Sequence, residues 1–130
     1  MEKLYQAALD AYHNTYSPYS KFGVGASIEL KNGKIISGAN IENASYGLSN
    51  CAERSAIFSV YSQGYRKDDI MRILVLANTK GPVSPCGACR QVLMELMDDE
   101  SEVILTNLNK DIKICKVKDL LPYAFSEGDL

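Results

Sequence analysis

Two short segments hold residues whose types and spacing suit chemistry: Cys51-Ala52-Glu53 and Pro85-Cys86-Gly87-Ala88-Cys89. Cysteines three positions apart at a helix start present both thiols on one face. Cys51 opens a second predicted helix. If both helix N-termini point into one place, three thiolates converge on a single ion. Zn²⁺ binds thiolate well and takes four tetrahedral ligands, of which a catalytic site draws three from the protein and leaves one position for water. Cys51, Cys86 and Cys89 fit that open arrangement. The fourth cysteine, Cys115, and the only histidine, His13, stand outside any ligand-like motif. Cys115 reads as a small packing residue, and His13 as a surface or capping residue.

Three thiolates make a zinc site net negative, which opposes ionisation of bound water. Helix N-termini beside the sulfurs offset this with partial positive charge and free N–H groups. Arg54 follows directly and can donate hydrogen bonds to the thiolates, a kind of support that tunes metal sites strongly. Glu53 lies two positions past Cys51, so a helix turns its carboxylate away from that ligand and toward the open position. From there it can take a proton from water and return it to a substrate nitrogen. The pattern C-x-E followed by P-C-x-x-C is similar to the signature of zinc deaminases that act on nucleobases.

The elements that must position these groups follow from periodicity and turn signals. Leu4, Ala7, Ala8 and Ala11 share a helical face, predicting a helix over residues 2–13. Ser17-Pro18-Tyr19-Ser20 reads as a loop. Residues 23–30 and 34–40 read as strands joined at Asn32-Gly33, a two-residue hairpin signal with positive φ at both positions. A helix is expected over 51–63, capped by Ser49 or Asn50 and stopped at Gly64. The apolar run 72–77 reads as a buried strand and 87–97 as a helix. Short strands at 102–106 and 112–115 and a short helix near 118–121 follow. Strand–helix–strand alternation argues for an α/β fold with helices covering a mixed sheet. No repeat or linker interrupts it, so residues 1–130 read as a single domain.

Composition narrows the function classes. The chain of 130 residues carries a net charge of −2, and its basic residues are mixed with acidic ones, as in Lys67-Asp68-Asp69. A basic stripe of the kind that tracks phosphates is absent, so no nucleic-acid partner is expected. No apolar run approaches the ~18 residues of a membrane span, and the first residues do not read as a signal peptide. A cytoplasmic location is the expectation. Thiols stay reduced there, which favours metal or catalysis over disulfides. A redox C-x-x-C would sit after an early strand, and a structural zinc module would supply four ligands. Neither matches. Gly23 and Gly25 resemble half of a phosphate loop, but no completing motif follows.

Taken together the residues resemble the bacterial-type homotetrameric cytidine deaminases, nearly from end to end. The resemblance rests on Tyr16-Ser17-Pro18-Tyr19-Ser20 with Lys21-Phe22-Gly23-Val24-Gly25-Ala26, on Gly38 through Gly47, on Cys51-Ala52-Glu53-Arg54, on Ser84 through Gln91, and on Leu120 through Phe125. It implies a three-layer α/β/α sandwich with a mixed five-stranded sheet. It also implies one zinc per subunit on Cys51, Cys86 and Cys89, with Glu53 as proton shuttle. Asn40 and Glu42 would hold the ribose 3′-hydroxyl and Phe22 would pack beside the base. Ala52 and Ser84 would meet the pyrimidine edge through backbone groups. Phe125 would reach a neighbouring subunit's site, so that the four subunits share active sites. The implied reaction is hydrolytic deamination of cytidine and 2′-deoxycytidine in pyrimidine salvage. A carboxylate such as Glu42 suits sugar hydroxyls and repels phosphate, which favours nucleosides over nucleotides. The alternatives are a related deaminase acting on a cytosine nucleoside antibiotic, a polynucleotide deaminase, and a non-catalytic zinc-stabilised interaction domain.

Overall fold

A computed structural model describes residues 1–130. Its centre is a five-stranded sheet in the order β2-β1-β3-β4-β5. The strands are β1 (Val24–Leu30), β2 (Ile35–Ala39), β3 (Ile70–Ala77), β4 (Glu102–Asn107) and β5 (Ile112–Lys116). Only β3 and β4 pair in parallel; β1–β2, β1–β3 and β4–β5 are antiparallel. Helix α1 (Glu2–His13) covers one face. Helices α2 (Ala52–Ser62), α3 (Gly87–Leu96) and the short α4 (Val117–Leu120) cover the other. This is the mixed-sheet α/β/α sandwich expected from the sequence.

Alternation along β3 builds both layers, since successive side chains of a strand point to opposite faces. Leu74 and Leu76 pack with Leu4, Tyr5 and Ala8 of α1. Ile73, Val75 and Ala77 join Ile57 and Val60 of α2 and Leu93 of α3. Each fully buried Leu or Ile contributes about 1.5–3 kcal/mol relative to exposure. Two polar contacts fix α1 on its face: Ser27 Oγ donates to the Leu4 carbonyl at 2.6 Å, and Tyr5 Oη donates to the Asn107 carbonyl at 3.1 Å. Cys115 packs against the larger core cluster, and His13 is exposed at the end of α1.

Strand direction explains why two distant cysteine motifs meet. β2 and β3 are both antiparallel to β1, so they run the same way. Ala39 and Leu76 pair with the same residue, Gly25. Both strands therefore end at one edge of the sheet, and the segments leading to α2 and α3 leave from that edge together.

Two local expectations are corrected. The β1–β2 turn has positive φ at Gly33 alone, not at Asn32. Gly33 N donates to Leu30 O at 2.9 Å and Leu30 N to Lys34 O at 2.8 Å. These bonds make a longer loop closed by a left-handed glycine rather than a two-residue turn. Neither Ser49 nor Asn50 caps α2. Cys51 holds the N-cap position, Ser49 Oγ accepts from Asn43 N, and Asn50 Nδ2 donates to Ser55 Oγ. The helix end is thereby left directed at the cysteines. Gly64 does stop α2: at φ 95° its amide bonds Tyr61 O, and Tyr65 N bonds Val60 O. This pair of bonds is a Schellman motif.

Candidate active site

Cys51 and Cys86 are the N-cap residues of α2 and α3, and Cys89 lies in the first turn of α3. The three Sγ atoms lie within 4.8 Å of one another, and none forms a disulfide. Cys51 Sγ and Cys86 Sγ are 3.8 Å apart. With Zn–S bonds of ~2.3 Å, the edge of a tetrahedral zinc–thiolate site is also about 3.8 Å. The donor set thus fits zinc in kind, number and spacing.

The surroundings stabilise a thiolate at Cys51. Arg54 Nη2 donates to Cys51 Sγ at 3.3 Å, and Cys89 N donates to Cys86 Sγ at 3.5 Å. Without an ion, the Cys89 thiol and the Arg54 guanidinium hold the Cys51 thiol down, to about 5. The Cys89 thiol is pushed up, first by that shared hydrogen bond and then by burial. Arg54 Nε is buried with no hydrogen-bond partner, so the guanidinium faces the sulfurs at a local cost.

Glu53, in the first turn of α2, is only 4% exposed. Burial pushes its carboxyl above 4.5, and the negative charge of Cys51 adds to the effect. A carboxyl raised in this way holds a proton more readily than a surface glutamate.

Glu53 opens onto a cavity of about 480 Å³. Of the residues singled out from the sequence, Phe22, Asn40, Glu42, Cys51, Arg54, Ser84 and Cys86 line it as well. Cys89 is fully buried behind them. Ala52 is fully buried and does not line the cavity. Phe125 lies outside it, 59% exposed, with its carbonyl accepting from Gln91 Nε2 at 2.9 Å.

Asn40 and Glu42 follow β2 and line the cavity. Asn40 Oδ1 accepts from Val24 N at 2.8 Å and Nδ2 donates to Phe22 O at 3.0 Å. Glu42 Oε1 accepts from the amides of Tyr19 and Ser20 at 3.0 and 3.1 Å, and Oε2 accepts from Ser20 Oγ. These bonds, led by the Ser20 hydroxyl, hold the Glu42 carboxyl below 4.5 and keep it ionised. Ser20 Oγ also accepts from Phe22 N at 3.1 Å. Ser20 therefore links the carboxylate to the aromatic wall. Sequence reasoning gave it no role, because its partner lies twenty-two positions away. Arg90 was likewise passed over. Its Nε donates to Pro85 O and its Nη1 to Leu120 O, both at 2.9 Å, joining the Cys86 loop to the C-terminal segment.

Residues 1–106 match the family model of the cytidine and deoxycytidylate deaminase zinc-binding region. The chain belongs to that deaminase family. Zinc is accordingly its metal, and Cys51, Cys86 and Cys89 form a cluster that could hold it. The chain is 52% identical to a cytidine deaminase of Halalkalibacterium halodurans over 99% of its own length and 96% of the relative's. The crystal structure of a cytidine deaminase from Burkholderia pseudomallei superposes on the deaminase with a TM-score of 0.92 at 49% identity, covering 95% of this chain and 98% of that one. That of Mycobacterium tuberculosis does so with 0.79 at 33% identity, covering 95% of each.

Proposed function

We propose that the protein hydrolyses cytidine and 2′-deoxycytidine to uridine and 2′-deoxyuridine with release of ammonia, a step of pyrimidine salvage. The observation that carries this reading is a buried Glu53 beside a three-thiol cluster, in a cavity that Glu42 lines with an ionised carboxylate. The names of the similar proteins support cytidine as a substrate.

Cys51, Cys86 and Cys89 would hold the zinc. When bound, zinc supplies Lewis acidity that lowers the pKa of water at its open position. Glu53 takes a proton from the attacking water and passes it to ring N3 as the C4–O bond forms, so the ring gains no net charge. It then carries the second proton from the added hydroxyl to the amino nitrogen. The C4–N bond breaks, the C4 carbonyl forms and ammonia leaves.

Glu42 and Asn40 would bind the sugar. An ionised carboxylate offers about four acceptor sites. Three are filled by Tyr19 N, Ser20 N and Ser20 Oγ, leaving one for the 3′-hydroxyl that both nucleosides share. Phe22 would flank the base, with backbone groups of Ser84 and Ala52 at its edge. Phe125, outside its own cavity, would complete the site of a neighbouring subunit in a homotetramer. The chain would act as a single cytoplasmic domain.

The test is the loss of the cytosine absorbance band with stoichiometric ammonia, on cytidine, deoxycytidine and a panel of cytosine nucleoside antibiotics. Turnover of the two nucleosides is expected. A folded, zinc-loaded protein that turns over neither would refute the reading. Sedimentation on dilution tests the shared site: activity should fall as the tetramer dissociates.

A further inference from the structure

Two glycines on neighbouring strands mark where helix backbone presses closely on the sheet. Gly38 on β2 pairs with Ala26, and Gly25 on β1 pairs with Ala39. A Cβ built at Gly38 would lie 2.4 Å from Ala56 N, 2.7 Å from Ala52 O and 2.9 Å from Ala56 Cα, all backbone of α2. A Cβ at Gly25 would lie 2.0 Å from Ala8 O and 2.7 Å from Tyr12 N, backbone of α1. In each case the two nearest atoms are the carbonyl and amide of an i→i+4 helix pair. Each helix thus rests with one hydrogen-bonded turn directly on a missing side chain.

The two seats differ in what the helix carries. The turn over Gly25 lies within α1, which holds no residue of the site. The turn over Gly38 belongs to the first coil of α2, which begins with Cys51 at the N-cap and carries Glu53 and Arg54. We infer that Gly38 is a positioning residue for the metal centre: by letting α2 sit on β2, it sets where Cys51 and Glu53 stand relative to Cys86 and Cys89. This rests on the reading of the three cysteines as the zinc ligands.

Magnitudes decide whether such a seat matters. Moving Ala56 N from 2.4 Å to an ordinary 3.4 Å contact lifts the turn by about 1 Å. Zinc–ligand distances tolerate only about 0.2 Å. The atoms in the way are backbone, so rotamer changes cannot absorb the lift. Cys86 and Cys89 belong to α3 and would not follow. A methyl group at position 38 therefore pulls Cys51 Sγ out of the tetrahedral set and shifts the Glu53 carboxyl with it.

The experiment compares Gly38→Ala with Gly25→Ala, using zinc competition against a chromophoric chelator and thermal melts of the metal-free proteins. Both variants should melt lower than wild type. Zinc affinity should fall about 10- to 100-fold in Gly38→Ala, the range found for groups that hold metal ligands in place, and stay within about 3-fold of wild type in Gly25→Ala. Equal affinity in Gly38→Ala and wild type, or equal losses in both variants, would overturn the inference. Failure of the wild type to bind zinc would overturn the ligand reading, and the inference with it. If either variant does not fold, amide exchange in the wild type decides. Zinc should slow exchange at Ala56 N–H and leave Tyr12 N–H unchanged. No difference between the two amides would refute the seat.

Discussion

Replacing Glu53 with Gln keeps the shape of the side chain and removes its ability to hold and release a proton. Removing a positioned acid–base group lowers turnover by about 10²–10⁴-fold, or roughly 3–5 kcal/mol of transition-state stabilisation. The structure argues for the upper end, because a carboxyl 4% exposed leaves bulk water little room to take over the transfer. Zinc should stay, since the thiol cluster lies within 4.8 Å without any contribution from Glu53. A second effect has the opposite sign. Burial raises the Glu53 carboxyl above 4.5, so the folded chain binds that proton more tightly than the unfolded chain does. Stability then falls as pH rises through the window that starts at 4.5. Zinc-free Glu53→Gln, which has nothing to ionise, should outlast zinc-free wild type in melts at neutral pH, with the gap closing toward acid. The assay is steady-state ammonia release with metal analysis of the same sample. A zinc-loaded Glu53→Gln within about tenfold of wild-type kcat would refute the shuttle, which is expected to supply far more than that. Loss of zinc together with activity would mean that the carboxyl holds the metal instead.

Ser20→Ala should raise KM for cytidine severalfold while kcat changes little, because the hydroxyl arranges Glu42 and Phe22 rather than the reacting atoms; a selective fall in kcat would count against this. Arg54→Gln should weaken zinc binding by about 10-fold or more, since it removes a donor to the Cys51 sulfur; unchanged zinc affinity in a competition titration would rule that role out. Glu42→Gln should flatten the loss of stability on acidification. The Glu42 carboxyl is held below 4.5, so its contribution is present above that pH and disappears as pH falls through the lowered value; melts at a series of acidic pH values read this directly. Chelation should abolish turnover and lower Tm, because an ion that binds only the folded chain stabilises it by mass action; full activity in metal-free protein would exclude the zinc chemistry.

The site was legible where local spacing carries it. C-x-E and C-x-x-C stand out as local patterns, and α2 and α3 were expected close to where they lie. The sandwich was legible because β3 is a continuous apolar run between two helical patterns. The missing information was of two kinds. Turn and cap chemistry depends on which of several small polar residues finds a partner. Ser49 turned to Asn43 and Asn50 to Ser55, and Cys51 took the cap instead. Long-range hydrogen bonding leaves no local mark: Asn40 and Glu42 were recognised only by resemblance. The structure adds that the same two side chains bind the loop of Tyr19 through Val24. Gly38 and Gly25 were visible as letters, but the backbone pressed against each belongs to a helix distant in sequence.

The sharing of ligands between two helix ends has a further consequence. Cys51 and Cys86 are 35 positions apart, and the chain between them contains α2 and the whole of β3, the central strand. An ion held by both turns that stretch into a closed ring threaded through the middle of the sheet. The metal is then a reversible cross-link as well as a reagent. By the logarithmic law of loop closure, a ring of this size corresponds to about 3 kcal/mol of chain entropy. If the backbone were cut at the exposed turn after Gly64, the ion would still join the two fragments. Withdrawing the ion would leave the pairing of β1 with β3 and the packing of α1 and α2 against the second fragment to hold them together.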